Sequence, residues 1–238
     1  MMRAIALDYS DLMRFISEYK IPYSESDVMF SNLVKKMHKR YYAFLSLHHE
    51  LINGNNFLPT IPSEVDVIFK SRMNEVLSEL GTVFFIAIHG CYKAARLLMR
   101  SCIENFSKAI GSLIDINVVN ETSVYRVIEI ALSHNVFLKQ AISEKNFISE
   151  KYAILCADVH TASVINMQQI DCIGNFPISN NQQFSLIGEL YIKLINVISS
   201  VILKIAPDVY HKAHHTHKDL ISLLLSMEDK RIIHKIER

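Results

Sequence analysis

Arg96, Arg100, Glu104 and Lys108 recur at four-residue intervals in "GCYKAARLLMRSCIENFSKAIG", residues 90–111. Tyr152, Cys156 and His160, in "EKYAILCADVHTASV", repeat that spacing further along the chain. On a helix, side chains four apart share a face, so each set would present its functional groups in a row. Guanidinium and ammonium groups can hold an anion, an imidazole can move a proton near neutral pH, and a carboxylate can orient either. The simpler alternative for the first row is a solvated helix face, with i,i+4 ion pairs worth roughly 0.2–0.5 kcal/mol each. For the second, it is a histidine satisfied in the core or at the surface.

The helical wheel sharpens the choice. At about 100° per residue, Ala95, Leu98, Met99, Cys102, Ile103, Phe106, Ala109 and Ile110 fill one half of a helix over 92–111. Lys93, Arg96, Arg100, Ser101, Glu104, Asn105, Ser107 and Lys108 fill most of the other, with Leu97 inserted among them. That leucine and the apolar "TVFFIAI" (82–88) just upstream imply that a neighbour covers part of the polar arc. Arg100 and Glu104 would then form a buried or half-buried pair, which needs further hydrogen-bonding partners.

The elements that must position these residues read as helices. The 238 residues are 50% hydrophobic and 21% charged, with only six Gly and five Pro, so long helices with few turns are expected around a sizeable core. Ser10 is placed to cap a helix to about residue 20, and Ser24 to open one running to Asn53, with Met29, Leu33, Met37, Tyr41 and Phe44 inward. Ser63 is read as the cap of a helix over 64–89, in which Gly81 and Gly90 are candidate kinks. Further helices are expected at 91–114, 121–133 after Asn120, 136–144 and 149–171. After the loop "GNFPISNN" comes a strongly apolar helix stopped by Pro207, then one or two amphipathic helices over 208–238. No stretch alternates apolar and polar residues for long, and no repeat or linker is visible. The expectation is an all-α fold: one domain over 1–238, a bundle of long antiparallel helices.

Composition narrows the function classes. The 25 basic and 24 acidic residues nearly cancel, without the basic excess of a protein that grips duplex nucleic acid through its phosphates. Cys91, Cys102, Cys156 and Cys172 stand alone, as expected of buried thiols in a reducing compartment. "LINVISSVIL" (194–203) is closed off by Lys193 and Lys204, short of the roughly 20 residues of a membrane span. A cytoplasmic protein without membrane association is expected. No Gly-rich phosphate loop, nucleophile elbow or dinucleotide fingerprint is present, and no cofactor is expected.

Three other stretches carry chemistry. "YHKAHHTHKD" (210–219) places His211 and His215 four apart, a spacing that can bind zinc or nickel with Asp208 or Asp219 as third ligand, or can be a plain polar helix face. "KKMHKRYY" (35–42) interleaves basic and aromatic residues and could touch RNA, although Met37 and Tyr41 should face inward. "MEDKRIIHKIER" at the end suits a partner helix or self-association.

The "A…LLR…E" helix followed by "Y…(S/C)…VH" resembles the helical bacterial proteins related to the HEPN superfamily, many of which are toxins or antiphage components. The matching positions are Arg100 and Glu104 on one helix and Tyr152 and His160 on the other, and the resemblance covers roughly residues 64–165. It implies a compact helical core over that span, with the helices of 182–238 packed on it, and an Arg and a His facing each other in a cleft, commonly across a homodimer. Active HEPN ribonucleases carry an Arg followed a turn or so later by a His on one helix. Here "SCIENFSK" follows Arg100, and the nearest approach elsewhere is Arg126 to His134. Metal-free RNA cleavage needs a base, an acid and a cation for the phosphate. Arg100 and His160 could supply these, with Glu104 orienting either and Arg96, Lys108 and Tyr152 assisting binding; the alternative is a network that fixes helix packing. The resemblance thus implies a defence or toxin–antitoxin component that binds a partner protein or nucleic acid, its partners being its own copies or a protein of a defence operon, with a metal-independent endoribonuclease as the alternative.

Overall fold

A computed structural model describes residues 2–18, 27–53, 61–159 and 180–234. The fold is all-α: 87% of it is helical, and the described residues contain no strand. In chain order the helices are α1 (Met2–Glu18), α2 (Val28–Asn53), α3 (Ser63–Ile88), α4 (Tyr92–Ser112), α5 (Val124–Leu132) and α6 (Asn135–Lys139). They continue with α7 (Ile142–Val159), α8 (Asn181–Ile205), α9 (Pro207–His211), α10 (His215–Ile221) and α11 (Met227–Ile233). Single 3-10 turns occupy Ile116–Asn120 and Ser222–Leu224.

Helices occupy the expected segments, but several begin elsewhere than expected, and the tail holds three short ones (α9, α10 and α11) where one or two were expected. Ser10 lies inside α1. Asp27 opens α2, its carboxylate accepting from the Phe30 amide at 2.9 Å; Ser24 lies outside the described residues. At α3 the residue before the helix is Pro62, and Ser63 is its first residue. Asp115 caps the 3-10 turn at 116–120, and α5 starts only after Ser123. The segment expected as one helix from 149 starts earlier, at Ile142, so Ser149 is interior to α7. Ala206, outside the helical region at φ −129° and ψ 71°, ends α8, and Pro207 opens α9 as its first residue, where a missing amide proton costs nothing.

The two glycines of the third helix behave differently. Gly90 has φ 75° and turns the chain between α3 and α4. Gly81 stays within continuous helix, with the Tyr41 hydroxyl lying 2.6 Å from where a Cβ would sit.

One contiguous cluster of buried apolar side chains runs from Phe30 on α2 to Ile233 on α11. Through it runs α8, whose inward face is buried from Phe184 to Leu203 and which contacts α2, α3 and α4. This helix is long and apolar enough by composition to cross a membrane, but 67% of its most hydrophobic window is buried against the rest of the chain. On α2, Leu33, Met37 and Phe44 are buried as expected, whereas Met29 is exposed.

At its C-terminal end α8 carries charge inward. The Lys204 ammonium, with its side chain 3% exposed, lies 2.6 Å from a Glu144 oxygen on α7 and 2.8 Å from Asp229 on α11. Ser200, one turn earlier, is 2.7 Å from Glu144 and 2.8 Å from Asp229. Asp229 also closes a capping box with Ser226. Removing one partner from such a buried set leaves an uncompensated charge, at a cost of about 3–5 kcal/mol. The triad therefore ties α7, α8 and α11 together.

Candidate functional site

Helix α4 packs chiefly on α3, with α5 and α7 beside it. Its apolar half is buried as the wheel predicts, from Ala95 through Ile110. Its polar half is not a solvated face: from Ala95 to Leu113 every residue is buried or half-buried. The inserted Leu97 did signal a covering neighbour.

The covering neighbour is α7. Arg100 Nη2 lies 2.8 Å from Glu104 Oε1 and donates to the Tyr152 hydroxyl at 3.1 Å. Arg100 Nε donates to the Cys156 sulfur at 3.3 Å, and the guanidinium carbon is 5.4 Å from the centre of the Tyr152 ring. The Tyr152 hydroxyl in turn donates to Glu104 Oε1 at 3.1 Å. Guanidinium, phenol and carboxylate thus close a triangle, and Tyr125 packs edge-on against the Tyr152 ring. One turn earlier, Arg96 Nε is 3.1 Å from Asp158 on α7, and its Nη1 donates to Gln183 on α8 at 2.8 Å. As the α4 number rises from 96 to 104 the α7 partner falls from 158 to 152, so these two helices run in opposite directions.

Of the residues singled out from the sequence, the structure brings together Arg100, Glu104 and Tyr152. Arg96 joins the same helix interface through other partners. Lys108 stands apart, donating to the Val119 carbonyl at 3.4 Å and so holding the 3-10 turn against α4. His160 lies outside the described residues. Cys156, Asp158 and Gln183 complete the set; Cys156 carried a signal, the four-residue spacing from Tyr152, while Asp158 and Gln183 had none.

The electrostatics favour fixed protonation states. Burial opposes the charge on Arg100, but its bonds to Tyr152 and Cys156 and the Glu104 carboxylate outweigh that and raise its pKa further. Burial pushes the Tyr152 hydroxyl well above its ordinary range and Glu104 adds to it, while Arg100 pulls the other way. At neutral pH the phenol is a donor and not a base. On the α3 side, burial raises the pKa of Glu79 although Asn105 donates to it at 3.2 Å, and the same Asn105 accepts from Arg72 at 3.1 Å.

The other pairings are rearranged by the fold. Arg126 pairs with Glu129 at 2.6 Å on an exposed face, and His134 Nδ1 accepts from the Val136 amide at the start of α6. Accepting that bond requires a ring nitrogen without a proton, in keeping with the burial that lowers the His134 pKa. His211 ends α9 and His215 begins α10, so they do not share one helix face, and His211 Nε2 bonds with the Ile233 carbonyl oxygen at 3.0 Å. Asp208 pairs with Lys212 at 2.8 Å. In "KKMHKRYY", Met37 and His38 are buried, His38 pairs with Asp8 of α1, and Arg40 donates to the Leu223 carbonyl. Lys35, Lys36 and Lys39 are the exposed cations of that stretch.

A cavity of about 560 Å³ opens between α2 and α8, lined by Met29, Leu33, Lys36, Glu189 and Lys193 among others; it shares no residue with the α4–α7 set. The fold and this set define an all-α protein with an Arg–Tyr–Glu network locking two of its helices. No protein-family model, curated protein or solved structure matches the chain.

Proposed function

We propose that this chain is a HEPN-like component of a bacterial antiphage or toxin–antitoxin system, acting in the cytoplasm by binding a partner protein or nucleic acid, and assembling with further copies of itself. The observation that carries a binding role over a catalytic one is the engagement of Arg100. Two of its three guanidinium nitrogens are held by Glu104, Tyr152 and Cys156. A cation that stabilises a phosphate in a transition state must aim its donors at the substrate. These donors are taken up by Glu104 of α4 and by Tyr152 and Cys156 of α7, and the hydroxyl beside them is held protonated. The defence context rests on the resemblance of the Arg100–Glu104 and Tyr152–His160 segments alone.

One observation favours the endoribonuclease reading: the Arg100 and Glu104 side chains keep 24% and 22% of their surface open. The experiment that separates the two is cleavage of RNA and DNA by purified protein in EDTA, with Arg100→Gln and His160→Ala alongside. The expected result is no cleavage, with Arg100→Gln lowering the melting temperature. Cleavage by the wild type, lost in both variants at unchanged stability, would replace the binding role with a nuclease. Phage plating on cells expressing the chain tests the defence assignment separately, and unchanged plating would remove it.

A further inference from the structure

The histidine-rich stretch after α9 does find metal-ligating company, though not within itself. His217 on α10 faces His49 and Glu50 near the end of α2, and one ligating atom from each of the three lies within 4.8 Å of the others. The rings of His49 and His217 are 5.3 Å apart, edge to face. His217 Nδ1 is 2.5 Å from Glu50 Oε1, which also accepts from the His214 amide at 3.3 Å. We propose that His49, Glu50 and His217 bind one divalent transition-metal ion of the zinc class, which clamps α10 onto α2.

The donor set selects the ion. Two imidazoles and one carboxylate match the three-ligand set of open zinc sites, whereas calcium and magnesium prefer oxygen donors throughout. The spacing is also right. Bonds of about 2.0–2.1 Å set tetrahedral ligands roughly 3.3 Å apart, so the widest pair need close by only about 1.5 Å and Glu50 and His217 part by less. The surroundings are prepared: Glu50 and His217 are 14% and 28% exposed and already fixed by hydrogen bonds, and His49, which is exposed, leaves an entry path. A fourth position stays open to water or to His214, whose ring centre is 6.0 Å from that of His217.

What an ion adds here is a long-range tie. Glu50 and His217 are 167 residues apart in sequence, and α10 has only seven residues. A helix that short is marginal by itself, so a metal bridge to α2 would hold the C-terminal helices in place.

The test uses tag-free, chelator-dialysed full-length protein titrated with zinc chloride by calorimetry, with the melting temperature followed in parallel. The wild type is expected to bind one zinc per chain and to melt higher when loaded. His49→Ala, at an exposed position, and His217→Gln are each expected to weaken binding at least about tenfold. His215→Ala, also exposed but outside the cluster, is expected to bind as the wild type does. The proposal is overturned if His49→Ala binds zinc unchanged, if His215→Ala is the variant that loses it, or if the wild type takes up no stoichiometric zinc.

Discussion

The Arg100 guanidinium and the Tyr152 hydroxyl, 52 residues apart in sequence, meet at 3.1 Å across α4 and α7. That contact answers the question posed by the charged row on α4. Arg96 and Arg100 are turned toward the neighbouring α7 and Lys108 toward the 3-10 turn, and the Tyr152 phenol works in both directions, accepting from Arg100 and donating to Glu104.

Tyr152→Phe removes both hydrogen bonds and keeps the ring against Arg100 and Tyr125. The expected loss is about 1.5–3 kcal/mol, the range for hydrogen bonds to charged groups, measured by urea denaturation. Unchanged stability would mean that solvent at the open edge replaces the phenol fully, and that the triangle is not what locks α4 to α7.

Acid should act through the buried triad. Lys204, Ser226 and Ser200 overcome the effect of burial and hold Asp229 down to about 2, below its ordinary 3.8; Glu144 is lowered in the same direction. A carboxylate whose folded pKa is depressed contributes stability that is complete above its unfolded value and lost as pH falls through the folded one. Asp229→Asn should therefore be less stable than wild type at neutral pH, and the gap should narrow between about pH 4 and pH 2. Glu79 works the other way, since burial raises its pKa, but it is common to both proteins and drops out of the difference. Melting temperatures across that range check it, and parallel curves would contradict it.

Gly188 marks a close approach of α8 to α2. A Cβ there would sit 2.8 Å from both terminal methyls of Leu33. Gly188→Ala should cost about 1–3 kcal/mol through overpacking, and combined with Leu33→Ala, itself a loss of about 2–5 kcal/mol, the double mutant should lose less than the sum of the two. Strictly additive losses on urea denaturation would show that the methyl and Leu33 do not clash at this contact.

Much of the fold was legible in the residues. The 3.6-residue period of α2, the amphipathic division of α4 and the apolar length of α8 all rest on local patterning, and all three helices are present. Helix starts were less legible: Ser10 lies inside α1, Ser63 is the first residue of α3 and Asn120 ends a 3-10 turn, since capping depends on which amides the approaching chain leaves free. At the site, Leu97 and the spacing of Tyr152 and Cys156 foretold a covered charged face, whereas Asp158 and Gln183 left no mark.

By itself, then, the sequence determined an all-α chain, the inward faces of its main helices and the residue types at the α4 row. Tertiary structure alone decided which of those residues meet. Lys204 read as a polar stop after an apolar run, yet it is buried between Glu144 and Asp229; His217 read as one of several histidines on a polar face, yet its ring pairs with Glu50. The reason is physical. Periodicity records a residue's orientation on its own helix, while pairing depends on the packing of helices far apart in the chain, and a single charged residue costs and gains according to partners that no local pattern encodes.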